Sequence, residues 1–153
     1  TINLINFIYN ISLRKIYISS DHAGFTLKEK IINHFSKKEL NFTDLGPYSK
    51  KRTDYPQFAH KLANKVKKNK NNVGILICGS GTGMSMAANK HKKIRAAQCF
   101  SLKSTKLSRL HNDANVITLG SRLISKNNAL KFISIFLGTN FEGGRHLKRV
   151  KKI

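Results

Sequence analysis

The sequence predicts an α/β fold in which a five-stranded, mostly parallel sheet is flanked by helices. Two observations carry this expectation. Short apolar runs, each long enough for one buried strand, alternate with helix-length segments that are apolar along one stripe. The connections between successive runs leave room for a helix, as crossovers between parallel strands require. A three-layer, Rossmann-like architecture with right-handed crossovers follows.

Lys15–Ser19 reads as the first strand and ends at Ser20-Asp21-His22-Ala23-Gly24. A helix from Phe25 to about Lys37 aligns Leu27, Ile31, Ile32 and Phe35 on one face. Asn41–Leu45 is a weaker second strand, closed by Gly46-Pro47. Beyond Thr53-Asp54-Tyr55-Pro56, a second helix to about Lys68 should bury Phe58, Leu62 and Val66. The Lys67–Asn72 run is a solvated polar loop. Val73–Cys78 is the third strand, and Gly79-Ser80-Gly81-Thr82-Gly83 leads into a short helix over Met84–Lys90. Arg95–Cys99 and Asn115–Leu119 are the fourth and fifth strands, and the Lys126–Leu137 helix is strongly apolar on one side. Residues 14–153 are expected to make a single domain, with 1–13 an extension outside it.

Composition narrows the function classes. The net charge is +22, yet 22 of the 29 basic residues are lysines scattered along the chain. Lys, Ile and Asn together supply 53 of 153 residues, a skew across charged, apolar and polar types that a biased coding composition explains better than a basic groove. Aromatic-interleaved basic stretches and zinc-finger spacings are both missing, which argues against a nucleic-acid partner. Polyanion binding through the basic surface stays as the alternative of another class. No run reaches the roughly 18–20 apolar residues of a membrane span, so no membrane partner is expected. Residues 1–12 lack the basic start and small-residue cleavage site of a secretory signal. Two cysteines make no disulfide framework, and a cytoplasmic location is the expectation.

The chemistry concentrates at Cys78. A thiol at the carboxyl end of a buried strand sits where open α/β sheets keep their ligands. The glycines after it let backbone N–H groups approach an anion, and a helix start beyond them favours negative charge. An inert core thiol remains the plain alternative. A dinucleotide fingerprint needs an acid about twenty residues on, and none occurs between Asp54 and Asp113. The loop is no Walker motif, and the six histidines show no metal-ligand pair. Three other clusters stand out: Asp21-His22, His111-Asn112-Asp113, and Gly143-Gly144-Arg145-His146 with Arg149. All four fall at strand ends or in loops, which such a fold is expected to gather at one sheet edge. Asp21 also suits a helix cap, His111 a satisfied helix-end histidine, and the Arg145/Arg149 pair either a phosphate or solvent. Cys99, in mid-strand, reads as structural.

Six motifs occur in order: Ser20–Gly24, Arg52–Pro56, Ile75–Gly83, Ser108–Val116, Gly120–Arg122 and Phe141–His146. In this order they resemble the ribose and galactose phosphate isomerase family, its type B ribose-5-phosphate isomerases in particular, over about Lys15–Val150. The resemblance implies an aldose–ketose isomerase that interconverts ribose 5-phosphate and ribulose 5-phosphate through a cis-enediolate, with no cofactor and no metal. By that similarity Cys78 is the base, and its thiol places the chain in the cysteine-using group rather than the glutamate-using one. His111 is the ring-opening acid. Gly79, Ser80, Gly81, Thr82 and Gly83 hold the enediolate oxygens; Asp21, Asn112 and Tyr55 meet the sugar. His22, Arg145 and Arg149 bind the phosphate, with Arg122 also near the substrate. A homodimer or tetramer with shared active sites is also implied. The same family admits a hexose 6-phosphate, allose or galactose, as the rival substrate.

Overall fold

Six consecutive apolar residues form β3 (Val73–Cys78), and all six are buried. A strand covered on both faces needs apolar side chains at odd and even positions alike, with a strand on either side of it. β1 (Ile16–Ser20) pairs with one edge, Ile18 opposite Ile75. β5 (Val116–Gly120) pairs with the other, Ile117 opposite Ile75. β2 (Thr43–Asp44) and β4 (Ala96–Gln98) complete a sheet of order β2-β1-β3-β5-β4, parallel at every pairing. The computed structural model describes residues 14–153, so the extension expected at 1–13 lies outside the described residues.

The helices are α1 (Phe25–Ser36), α2 (Tyr55–Val66), α3 (Thr82–Ala88), α4 (Leu102–Asn112), α5 (Lys126–Gly138) and the short α6 (Leu147–Val150), which follows a 3-10 turn over Gly144–His146. Ile75, Ile77, Ile117 and Leu119 meet Leu27, Ile31 and Phe35 of α1 and Phe132, Ile133 and Phe136 of α5 on one face. On the other face Leu76, Cys78 and Val116 meet Ala59, Leu62 and Val66 of α2 and Met84 of α3. Alternate residues of β3 thus serve opposite cores. Gly74 lies under α2 so closely that a Cβ there would stand 2.4 Å from Leu62 Cδ2 and 3.1 Å from Val66 Cγ2.

Differences from expectation have physical causes. β2 and β4 are edge strands and shorter than the Asn41–Leu45 and Arg95–Cys99 runs, because each pairs on one side only. Phe58 and Ile32 are half-buried, on the margins of the two cores. The apolar spacing leaves the segment between Cys99 and Asn115 unassigned. α4 forms there because a capping box joins Ser101 and Ser104 at its start, while its buried face is Thr105, Ser108 and Arg109. Arg109 donates to Thr139 O and to Ala114 O, and its carboxylate partner is Asp113, so this polar face is satisfied internally.

Lys28 is a second surprise: it is fully buried on α1, paired with Asp44 and, at 3.2 Å, with Glu29. Its ammonium also lies 5.4 Å from the Phe25 ring centroid. Removing one partner of a fully buried pair costs roughly 3–5 kcal/mol. Asp44 keeps 23% of its side-chain surface, which softens that cost. Lys28→Met is therefore expected to destabilise by about 2 kcal/mol and lower the melting temperature by about 4–8 °C. An unchanged thermal melt would show the pair to be energetically neutral.

Candidate active site

α1 leaves β1 toward one face of the sheet, and α3 leaves β3 toward the other. Neighbouring strands whose helices diverge open a crevice at their carboxyl ends. A cavity of about 290 Å³ lies there, lined by Asp21, Tyr55, Cys78, Gly79, Ser80, Gly83 and Arg122, with Leu123 beside them. Leu123 was not singled out by the sequence, although 65% exposure marks it as an apolar residue without a core role in the chain.

The Cys78 thiol is held from the loop that follows it. Its sulfur accepts the Gly81 N–H at 3.1 Å. Gly81 takes φ +81°, and a Cβ there would stand 2.9 Å from the Leu119 carbonyl carbon. Glycine alone allows both the turn and that approach. The turn starts α3 at Thr82, two residues before the expected Met84. First-turn amides of a helix have no carbonyl within it to bond; here Thr82 N–H donates to Ser80 Oγ at 3.3 Å, which leaves those of Gly83 and Met84 for an anion. Ser121 N–H donates to Cys78 O at 2.8 Å and Arg122 N–H to Gly79 O at 3.0 Å, tying the loop to the end of β5. On the other side Gln98 Nε2 donates to Ser80 O at 2.8 Å, and Thr82 Oγ1 donates to Gln98 Oε1 at 3.2 Å. Gln98 escaped the sequence reading; a polar residue closing an apolar edge strand was the available signal.

Around the thiol, Asp21 is buried and its Oδ1 accepts the Gly24 N–H at 2.9 Å. The carboxylate braces the turn ahead of α1 and does not cap the helix itself. His22 Nδ1 lies 3.0 Å from Thr53 O and 3.3 Å from Thr53 N, which fixes its ring against the loop before α2. The Tyr55 ring lies against Gly83, and the Arg122 guanidinium against Gly79. Cys99 differs in kind: burial pushes its thiol up, partly offset by hydrogen bonding from Thr105 and Ser108, so it stays protonated.

The remaining expected residues stand elsewhere. α4 runs from the carboxyl end of β4 to the amino end of β5, so His111 and Asn112 lie beyond Val116, whereas Cys78 pairs with Gly120. Four residues of strand put roughly 13 Å between those levels along the sheet. Glu142 N–H donates to Leu110 O at 3.1 Å, and the His146 ring stacks on His111 with centroids 4.2 Å apart, holding Gly143–Arg149 at this same edge. Arg145, Arg149 and Asn112 are exposed. The expectation that all four clusters share one sheet edge is thus corrected: two gather at the carboxyl edge and two at the amino edge. Nor is His111 a satisfied helix-end histidine in the usual sense, because its Nε2 is 3.7 Å from the nearest Glu142 oxygen, beyond hydrogen-bond range.

A braced thiol at the switch point of a parallel sheet, facing a small cavity that an aspartate and an arginine also line, marks an α/β enzyme acting on a small molecule. The profile of the ribose/galactose isomerase family matches residues 16–153. The ribose-5-phosphate isomerase B of Escherichia coli is 43% identical over 141 residues, covering 92% of this chain and 95% of that one. A Mycoplasma genitalium ribose-5-phosphate isomerase B, solved with bound ribulose 5-phosphate, superposes with a TM-score of 0.87 at 48% identity, covering 92% of this chain and 93% of that one. The Thermotoga maritima ribose 5-phosphate isomerase also gives 0.87, at 45% identity and 90% and 95% coverage. This chain belongs to the ribose/galactose isomerase family. No helix among the described residues is long and apolar enough to cross a membrane.

Proposed function

We propose that this chain interconverts ribose 5-phosphate and ribulose 5-phosphate, with Cys78 as the base. The observation that carries the reading is the Cys78 sulfur at the cavity, 3.1 Å from the Gly81 N–H and beside the first turn of α3. Cys78 takes the C2 proton of the open-chain aldose, and the electron pair moves onto the carbonyl oxygen to give the cis-enediolate. Backbone N–H groups of Gly79–Gly83 neutralise that oxygen as it gains charge. The hydroxyl proton on O2 passes to O1, and the C2 carbonyl forms as the thiol's proton goes to C1, leaving the ketose and the thiolate. His111 acts earlier, donating to the ring oxygen as the C1–O bond breaks. Asp21, Asn112 and Tyr55 orient the sugar; His22, Arg145 and Arg149 take the phosphate, for which guanidinium forks are suited, and Arg122 stands near the substrate at the Cys78 cavity.

The separation of the two sheet edges supports a site built from two copies of the chain. His111, Asn112, Arg145 and Arg149 cannot serve the Cys78 of their own chain across that offset, which supports a homodimer in which each copy lends its amino edge to the other's cavity. The relatives named above are ribose-5-phosphate isomerases, which favours the pentose over allose or galactose 6-phosphate. The direct test is formation of ribulose 5-phosphate from ribose 5-phosphate by the purified protein, followed beside the two hexose phosphates. Turnover should be fastest on the pentose; absence of turnover, or a faster hexose, would sink the proposal.

A further inference from the structure

The amino edge holds three potential ligand atoms that nothing above uses together. His111 Nε2 lies 3.7 Å and His146 Nε2 3.5 Å from the same Glu142 oxygen, and all three atoms fall within 4.8 Å of one another. Ligands of a tetrahedral ion bound at about 2.0–2.1 Å stand about 3.4 Å apart, so the Glu142 oxygen is already near ligand spacing from each ring and the rings must turn to complete the set. A second observation points the same way. His146 is buried, 6% exposed, and its Nε2 is without a hydrogen-bond partner. A buried nitrogen 3.5 Å from a carboxylate oxygen with no hydrogen bond made leaves a lone pair or proton unspent, which native structures seldom do without a reason.

We propose that His111, Glu142 and His146 form a site for a borderline divalent transition cation of the zinc class, and that occupancy inhibits the isomerase. Imidazole and carboxylate are the donors such ions prefer, and Mg²⁺ or Ca²⁺ would want more oxygens. Two features limit the affinity. The rings are stacked nearly parallel, 12° apart, so each must rotate before both lone pairs converge on one ion. Arg145 and Arg149 add positive charge close by. The site is therefore one that fills when the metal is raised and empties to a chelator. The sequence hides it, since His111 is far along the chain from the Glu142/His146 pair and only the return of the chain beside α4 joins them.

Binding does not depend on the function proposed above; inhibition does, because it acts by removing His111 as an acid. The experiment is a Co²⁺ titration of the chelator-treated full chain, followed by visible absorption and, in parallel, by ribose 5-phosphate turnover. About one Co²⁺ per chain should give d–d bands of a nitrogen and oxygen ligand set without sulfur charge-transfer bands. Glu142→Gln and His146→Gln should each weaken binding by at least the roughly 10–100-fold that loss of an outer hydrogen-bond partner costs a metal site. Circular dichroism of the two variants checks that they fold. Bands that persist in both folded variants would place the ion elsewhere, at the His60/His91 contact or Cys78, and overturn the site. No bands at millimolar Co²⁺ would do the same. Bands with full turnover would keep the site and overturn the role given to His111.

Discussion

Cys78→Ala is expected to cut ribose 5-phosphate turnover by about 10²–10⁴-fold, the span that a positioned proton-transfer group supplies. The loss should fall on kcat, with KM moving little, because the thiol handles the proton and the phosphate is held by other residues. The fold should survive. The substitution removes one sulfur from a cavity wall, leaving the apolar packing of Leu76, Leu62 and Met84 on that face intact. A steady-state assay beside a circular dichroism melt separates the two effects. Retention of full activity would remove the thiol from the mechanism and move attention to the carboxylate of Asp21, which lines the same cavity.

Mixing two dead variants should restore activity. If each site takes Cys78 from one copy and His111 from the other, Cys78→Ala and His111→Gln are each inactive alone. A heterodimer of the two contains one doubly damaged site and one intact site. Random assortment after co-refolding or co-expression makes half the dimers mixed, so about a quarter of wild-type turnover should return. Sites complete within one chain would leave the mixture as dead as its parts. Size-exclusion chromatography of the mixture establishes that the chains have exchanged, so a null result counts against the shared site.

The carboxyl-edge half of the site was legible in the sequence, and the amino-edge half only in part. β3 and its loop stood out because uninterrupted apolar residues followed by glycines have few other uses. Asp21 and Ser80 could be placed near Cys78 because they follow strands at the same sheet edge, whereas Tyr55 and Arg122 came only from the family resemblance. His111 was visible as a motif, but its edge was not. That depends on α4, whose inward face of Thr105, Ser108 and Arg109 gives no apolar stripe to read. Lys28 is equally invisible to such a reading, since a lysine on an amphipathic helix is ordinarily solvated and here is fully covered. In each case the polar group is buried because a partner on a distant segment satisfies it: Asp44 for Lys28, Thr139 for Arg109. Hydrophobic periodicity cannot register such pairings.

Gly74 acquires a further meaning from its seat beneath Leu62 and Val66. A strand that is apolar throughout carries no pattern to tell its two faces apart, so its phase is weakly specified by hydrophobicity alone. Slipping β3 by one residue would still bury every side chain, yet it would turn the thiol away from the cavity and under α1 and α5. It would also drive Val73 or Ile75 into the space where even a methyl carbon comes within 2.4 Å of Leu62. The missing side chain at 74 therefore works as a parity mark. It sets odd from even along the strand, and four residues later that parity decides which way the sulfur points.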